Sequence, residues 1–190
     1  TKDEIRKMAA SIDLKVAAKP DSQDICFIPD GNYQQFLEDY TGRKVPEGNF
    51  VDVKGSVIGR HKGITHYTVG QRKGLGLAMG HPVFVTEIRP ETNEVVIGEN
   101  SDVFSIGLLA TDLNFMAVCT PKVQEPVRLF AKVRYAHKGA WCTLKIQEDK
   151  SALCIFDEPV RAITPGQAVV FYNGDIVVGG GVIDKAVKGS

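Results

Sequence analysis

The sequence predicts a mainly β protein with a minor helical part, its strands closing into a barrel or a sandwich. Three observations carry this. Helical spacing of apolar residues is confined to segments before residue 42. From residue 50 onward, short apolar-rich segments alternate with turn residues. Between the last two of these stands Asn173-Gly174, a strong hairpin signal because both central positions of that turn tolerate positive φ.

In chain order, residues 2–12 place Ile5, Met8, Ala9 and Ile12 at helical spacing. Lys15 to Pro29 reads as an extended connection, because Pro20 and Pro29 bias their predecessors away from helix. Asp30-Gly31-Asn32 then starts a helix over 33–40 that Gly42 ends, with Tyr33, Phe36, Leu37 and Tyr40 on its apolar face. A first strand series is predicted at Phe50–Val53, Ser56–Arg60, Tyr67–Gly70, Val83–Ile88 and Val95–Gly98, with Pro90-Glu91-Thr92-Asn93 as a turn. A second runs through Leu108–Phe115, Val127–Tyr135, Trp141–Gln147, Leu153–Phe156, Ala168–Tyr172 and Ile176–Ile183. The polar Glu99-Asn100-Ser101-Asp102 marks a boundary between the two series, near 99–107.

The 190 residues suit one large or two small domains. Lysine plus arginine and aspartate plus glutamate each number 23, so nucleic-acid binding would need a local basic patch rather than an overall field. No run approaches a membrane span, and the charged amino terminus is not a signal peptide. The four cysteines lack metal-ligand spacing and would make a sparse disulfide framework, so a reducing cytoplasm is expected. The chain opens without Met, in residues that read as the tail of a helix already under way. A carboxy-terminal fragment is therefore expected, its partner domain lying elsewhere.

Two segments carry chemistry. Cys26 lies in Ser22-Gln23-Asp24-Ile25-Cys26-Phe27, within the extended connection, where a thiol is accessible as a nucleophile or sulfur carrier. Against this, Cys26 has apolar neighbours and could be a small buried hydrophobe, and Asp21, Asp24 and Asp30 would raise its pKa. Cys119, Cys142 and Cys154 fall in or beside strands and read as structural. From Val53 to Thr86 there is no acidic residue, while Lys54, Arg60, Lys62, Arg72 and Lys73 are positive. Gly70, Gly74 and Gly76 would let backbone amides approach an anion, and Arg72 offers a fork for phosphate. The alternative is a solvated loop with glycines serving its turns. Arg134-Tyr135 in a strand could pair a guanidinium with a ring to stack on a base, although an exposed strand residue is the commoner explanation. His61, His66, His81 and His137 are too scattered for a metal site. Gly179-Gly180-Gly181 lies in a terminal strand pair and lacks the following Asp-Ser of a pyrophosphatase loop, which argues against nucleotide binding there.

Ser22–Phe27, together with Tyr67-Thr68-Val69-Gly70-Gln71-Arg72-Lys73-Gly74-Leu75-Gly76, resembles the bacterial tRNA-specific 2-thiouridylases, the MnmA/TrmU family. The resemblance continues through Lys132-Val133-Arg134-Tyr135 and Thr164-Pro165-Gly166-Gln167-Ala168-Val169 to Val178-Gly179-Gly180-Gly181. It covers nearly the whole chain in the right order.

That resemblance implies an amino-terminal ATP-binding domain, of which residues 1–25 would be the tail and linker. A small central α+β domain over 26–102 and a C-terminal antiparallel, elongation-factor-like β-barrel over 103–190 would follow. In the family reaction, ATP adenylates O2 of the wobble uridine and a cysteine persulfide replaces it with sulfur. Cys26 matches the persulfide carrier, loaded by a cysteine desulfurase or sulfur-relay protein and later forming a transient disulfide with a cysteine of the missing domain. Arg134, Tyr135 and Gln167 match tRNA-touching barrel positions, and Gln71, Arg72 and Lys73 are placed against phosphates or the Cys26 segment. Ala136 stands where relatives often carry another basic residue, which would weaken the grip there. The implied partner is tRNA, with no metal, no ATP site within these residues, and a cytoplasmic monomer inactive on its own. A methyltransferase finds no support, because no glycine-rich loop follows a strand to hold S-adenosylmethionine. The rival readings are a non-catalytic RNA-binding β-barrel module and a thiol redox protein.

Overall fold

The computed structural model describes residues 1–18, 28, 32–116 and 125–189, which fall into two compact units, 1–44 and 45–190. Cys26 and Cys119 lie outside the described residues.

In the first unit, α1 (Lys2–Ser11) starts from a capping box: Thr1 Oγ1 accepts from the Glu4 amide, and the Thr1 backbone nitrogen donates to the Glu4 carboxylate. α2 (Tyr33–Thr41) is capped by Asn32, whose side-chain oxygen accepts from the Gln35 amide at 3.2 Å, and it stops at Gly42 in the left-handed conformation. Both helices fall where their spacing placed them.

The second unit is built of strands. Gly48–Asp52 (β1), Val57–His61 (β2), Phe84–Arg89 (β3) and Glu94–Gly98 (β4) form a mixed sheet in the order β2-β1-β4-β3, with β1 and β4 parallel. Phe50, Val85, Val95 and Ile97 point into its core with Leu75 and Val83. Phe104–Phe115 (β5), Val127–Lys132 (β6), Ala140–Ile146 (β7), Ala152–Arg161 (β8), Ala168–Asn173 (β9) and Ile176–Val187 (β10) close an antiparallel barrel in the order β10-β5-β8-β7-β6-β9. Period-two alternation sends Leu129, Ala131, Cys142, Leu144, Val169 and Phe171 inward, where they meet Leu108 and Ile183. A hairpin joins β9 to β10 as expected, but one residue further on: Asn173 pairs with Ile176, and the two-residue loop is Gly174-Asp175, with Gly174 at a φ of 58°.

One expected strand is absent. Residues 67–70 follow a 3₁₀ turn at Ile64–His66 and make no ladder of their own. Gly70 instead takes a φ of 88°, its N–H donates to the Val85 carbonyl (2.7 Å), and the Gln71 carbonyl accepts from the Val85 amide (2.9 Å). A side chain at position 70 would be strained by that φ, and its Cβ would lie 2.9 Å from the Ala162 Cβ. The apolar pattern imitates a strand while the backbone turns after two hydrogen bonds.

The sheet is latched to the barrel. The Arg161 guanidinium lies 5.4 Å above the Phe84 ring and donates to the Gly70 carbonyl. Ala162 donates its N–H to the Val103 carbonyl at 2.9 Å, and Lys188 Nζ caps the carbonyls of Asp102 and Phe104.

His61 is buried beside Phe50 and Tyr67. Its Nδ1 accepts from the Gly63 amide (3.0 Å), leaving Nε2 to donate to the Asn93 carbonyl (3.1 Å), which selects the neutral ring. Burial pushes its pKa below the ordinary 6.5. The unfolded chain then binds a proton that the folded one refuses, so stability falls as pH drops through 6.5 toward the folded pKa. Urea midpoints taken at about pH 5 and about pH 7.5 are expected to differ in that direction. In His61→Gln the difference should shrink to what the half-buried His137, shifted in the same sense by burial, still contributes.

Candidate functional site

The barrel residues singled out from sequence come together. Arg134, Tyr135 and Gln167 line one open groove of about 740 Å3 on the outside of the barrel, with Lys132, Val170 and Tyr172. Two local features build it. β6 and β9 pair with Lys132 opposite Val170, so their outward positions share one surface. The turn 164–167 brings Gln167 to the same end, where its carbonyl accepts from the Ile183 amide at 2.8 Å. Tyr135 is fully exposed.

Arg134 has a second task. Its Nη1 donates to the carbonyls of Arg161 (3.0 Å) and Ala162 (3.2 Å), holding the residue half-buried. This ties the groove to the end of β8, where Arg161 in turn contacts Gly70 and Phe84. A single chain of contacts therefore connects the groove to the glycine-rich loop. Sequence reasoning missed Arg161, because nothing local distinguishes it from an ordinary strand-end arginine.

Gln71, Arg72 and Lys73 do not line the groove. Gln71 is structural: its side-chain carbonyl accepts from the Thr68 amide (2.9 Å), and its side-chain amide donates to the Lys73 carbonyl (3.0 Å). Arg72 and Lys73 are exposed, and Arg72 borders a separate open pocket with 74–83. Lys132 and Tyr172 complete the groove, although neither was singled out from sequence. The available signal for Tyr172 was the outward alternation Ala168, Val170, Tyr172 along β9.

The two thiols among the described residues are not candidates. Cys142 and Cys154 are wholly buried in the barrel core, where Cys142 donates to the Leu129 carbonyl at 3.4 Å. The hydrogen bond to Cys142 and burial push the Cys154 thiol far above the ordinary thiol range, so it cannot act as a nucleophile. Among the described residues, no group of histidine, cysteine or carboxylate side chains could hold a metal, and no helix is long and apolar enough to cross a membrane. The Gly179–Gly181 run cannot cradle phosphate. Built Cβ atoms there would fall 2.4, 2.5 and 2.6 Å from the carbonyl oxygens of Asn114, Val169 and Thr111, so the space is already filled by neighbouring strands.

Three family models match consecutive stretches of the chain. These are a tRNA methyl transferase HUP domain over 1–30, a tRNA methyl transferase PRC-barrel domain over 34–99, and an aminomethyltransferase beta-barrel domain over 105–183. Among curated proteins, the chain is 60% identical over 185 residues to the tRNA-specific 2-thiouridylase MnmA of Lachnoclostridium phytofermentans, covering 97% of the chain and 51% of that relative. Identity to the protein of the same name from Acetivibrio thermocellus is 51%, covering 96% and 50%. For Clostridioides difficile it is 46%, covering 98% and 51%. The chain thus spans about half the length of the curated relatives it matches.

Proposed function

Because the chain belongs to the tRNA-specific 2-thiouridylase family, we propose that it supplies the tRNA-docking surface and the sulfur-carrying cysteine of an enzyme that replaces O2 of the wobble uridine by sulfur. Residues 26–102 serve as the central module and 103–190 as the docking barrel. The observation that carries this reading is the convergence of Lys132, Arg134, Tyr135 and Gln167 in one groove on a closed barrel. Cations beside an exposed tyrosine suit an RNA strand, whose phosphates position it and whose unpaired bases can stack.

Cys26 is proposed as the persulfide carrier. The terminal sulfur attacks C2 of the uridine, and the adenylated oxygen departs as AMP. A second cysteine then takes the place of the transferred sulfur on Cys26, so the pair leaves as a disulfide while sulfur remains on the base. Activation of O2 by ATP is assigned to a nucleotide-binding domain of the kind the family model over 1–30 describes, while the packed Gly179–Gly181 run leaves no room for phosphate. On their own these 190 residues are expected to make no 2-thiouridine. A cytoplasmic protein loaded by a cysteine desulfurase or a relay protein completes the reading.

The test is tRNA binding by the chain across a salt series. Affinity should fall linearly on a log–log plot, and Lys132→Ala should reduce the slope by about 0.7, one phosphate contact on a single strand. Binding that ignores salt, or a slope unchanged in Lys132→Ala, removes the groove from the docking surface.

A further inference from the structure

Phe130, Trp141 and Tyr172 stand at one level across neighbouring barrel strands. Phe130 on β6 is the direct partner of Trp141 on β7 and of Tyr172 on β9. All three alternate with the buried Leu129, Ala131, Cys142 and Phe171, so they face outward. Trp141 meets the Phe130 ring edge-on, with centroids 5.6 Å apart and planes at 75°, yet it remains 49% exposed. The Phe130 ring rests on the backbone of Gly139, where a built Cβ would come within 2.1 Å of it.

The outside of a barrel in water ordinarily carries polar residues at such positions. A row of aromatics there does not serve the core. Its surroundings hold two cations and one carboxylate. Lys132 follows Phe130 on the same strand face, and Arg128 lies 5.5 Å over the Trp141 ring. The nearby carboxylate Asp157 is engaged by Arg128 through both of its oxygens. Aromatic faces interleaved with cations match a ligand that carries both flat π surfaces and negative charge, which describes an unpaired nucleic-acid strand.

We propose that this row is a stacking platform for unpaired bases of the tRNA, with Tyr172 and the fully exposed Tyr135 taking bases on either side of a phosphate held by Lys132. The inference rests on the tRNA-docking reading and adds base contacts to it. Stacking tolerates any base, so the platform grips a single-stranded segment without reading its sequence.

Titration of the chain with unmodified tRNA tests this, with binding followed by the emission of Trp141, the single tryptophan of the sequence. Bound tRNA should shield Trp141 from acrylamide. Tyr172→Ala should weaken binding by about 5- to 100-fold with an unchanged salt slope, whereas Tyr172→Phe keeps wild-type affinity. A tRNA made abasic at the stacked position should lose affinity for the wild type but not further for Tyr172→Ala. If Tyr172→Ala binds as tightly as wild type while Lys132→Ala is weakened, phosphate docking stands and the platform is wrong. If wild type does not bind tRNA at low salt, the docking reading falls and the platform with it. Should Tyr172→Ala lose its circular-dichroism signature of folding, Tyr135→Ala and the abasic series decide, and no loss in either overturns the inference.

Discussion

Replacing Cys26 by serine is expected to abolish sulfur transfer to tRNA in a protein that also carries the nucleotide-binding domain. Serine keeps the size and the hydrogen-bonding capacity of the side chain but cannot hold a persulfide. The loss should therefore be the several orders of magnitude seen when a covalent nucleophile is removed, not a modest change in affinity. Affinity for tRNA should stay at the wild-type value, because the docking groove lies on the barrel, among other residues. The assay combines a cysteine desulfurase, labelled cysteine, ATP and unmodified tRNA, and counts label on the RNA. Thiolation by Cys26→Ser at the wild-type rate would leave Cys26 a structural residue.

The second large effect concerns folding. At Gly179 a built Cβ lies 2.4 Å from the Asn114 carbonyl oxygen and 2.9 Å from the Phe115 Cα, both of them backbone atoms that cannot rotate away. β10 shifts register against β9 between Val177 and Gly179 and against β5 between Gly180 and Val182, and this bend is where the barrel closes. Gly179→Ala must push β10 off β5. The expected cost is about 3 kcal/mol, the upper part of the usual range for overpacking. It would appear in urea unfolding as a lower midpoint with an unchanged slope. A midpoint within error of wild type would mean that the strands separate freely, and that closure does not depend on glycine here.

Much of this architecture was legible in the chain. Asn173-Gly174 marked a hairpin to within one residue, Asn32 and Gly42 bounded a helix, and apolar segments between turn residues placed each barrel strand, because these signals are local. The ends were less legible, since β6 stops at Lys132 and leaves Arg134 and Tyr135 in a turn, while β8 runs on to Arg161. What escaped depends on distant register. Nothing within residues 67–70 announces that Val85 will intercept them, so a turn was read as a strand. Arg134 shares its groove with Tyr135 and Gln167, but its bonds to the Arg161 and Ala162 carbonyls cross 27 and 28 residues of sequence, beyond the reach of any local signal. The aromatic row is a property of pairing alone: Phe130, Trp141 and Tyr172 are unremarkable until β6 lies between β7 and β9. Gln71 looked like a ligand-facing polar residue because its sequence context is cationic, whereas both ends of its amide are consumed by its own loop.

The Gly70–Gln71 turn has a consequence for the exposed edges of the mixed sheet. A closed barrel has no first or last strand, so open hydrogen-bonding edges in this unit can occur only in the mixed sheet. The two bonds from residues 70 and 71 to Val85 occupy the outer rim of β3, and the Arg161 latch holds that cover in place. That cover reaches only Val85 of the six residues of β3, and the sheet's other margin is β2. That margin is five residues long, bent by the register shift between Phe50 and Val51 on its partner, and it carries the charge of Arg60. Brevity, curvature and charge are the features by which β proteins keep such an edge from recruiting copies of themselves.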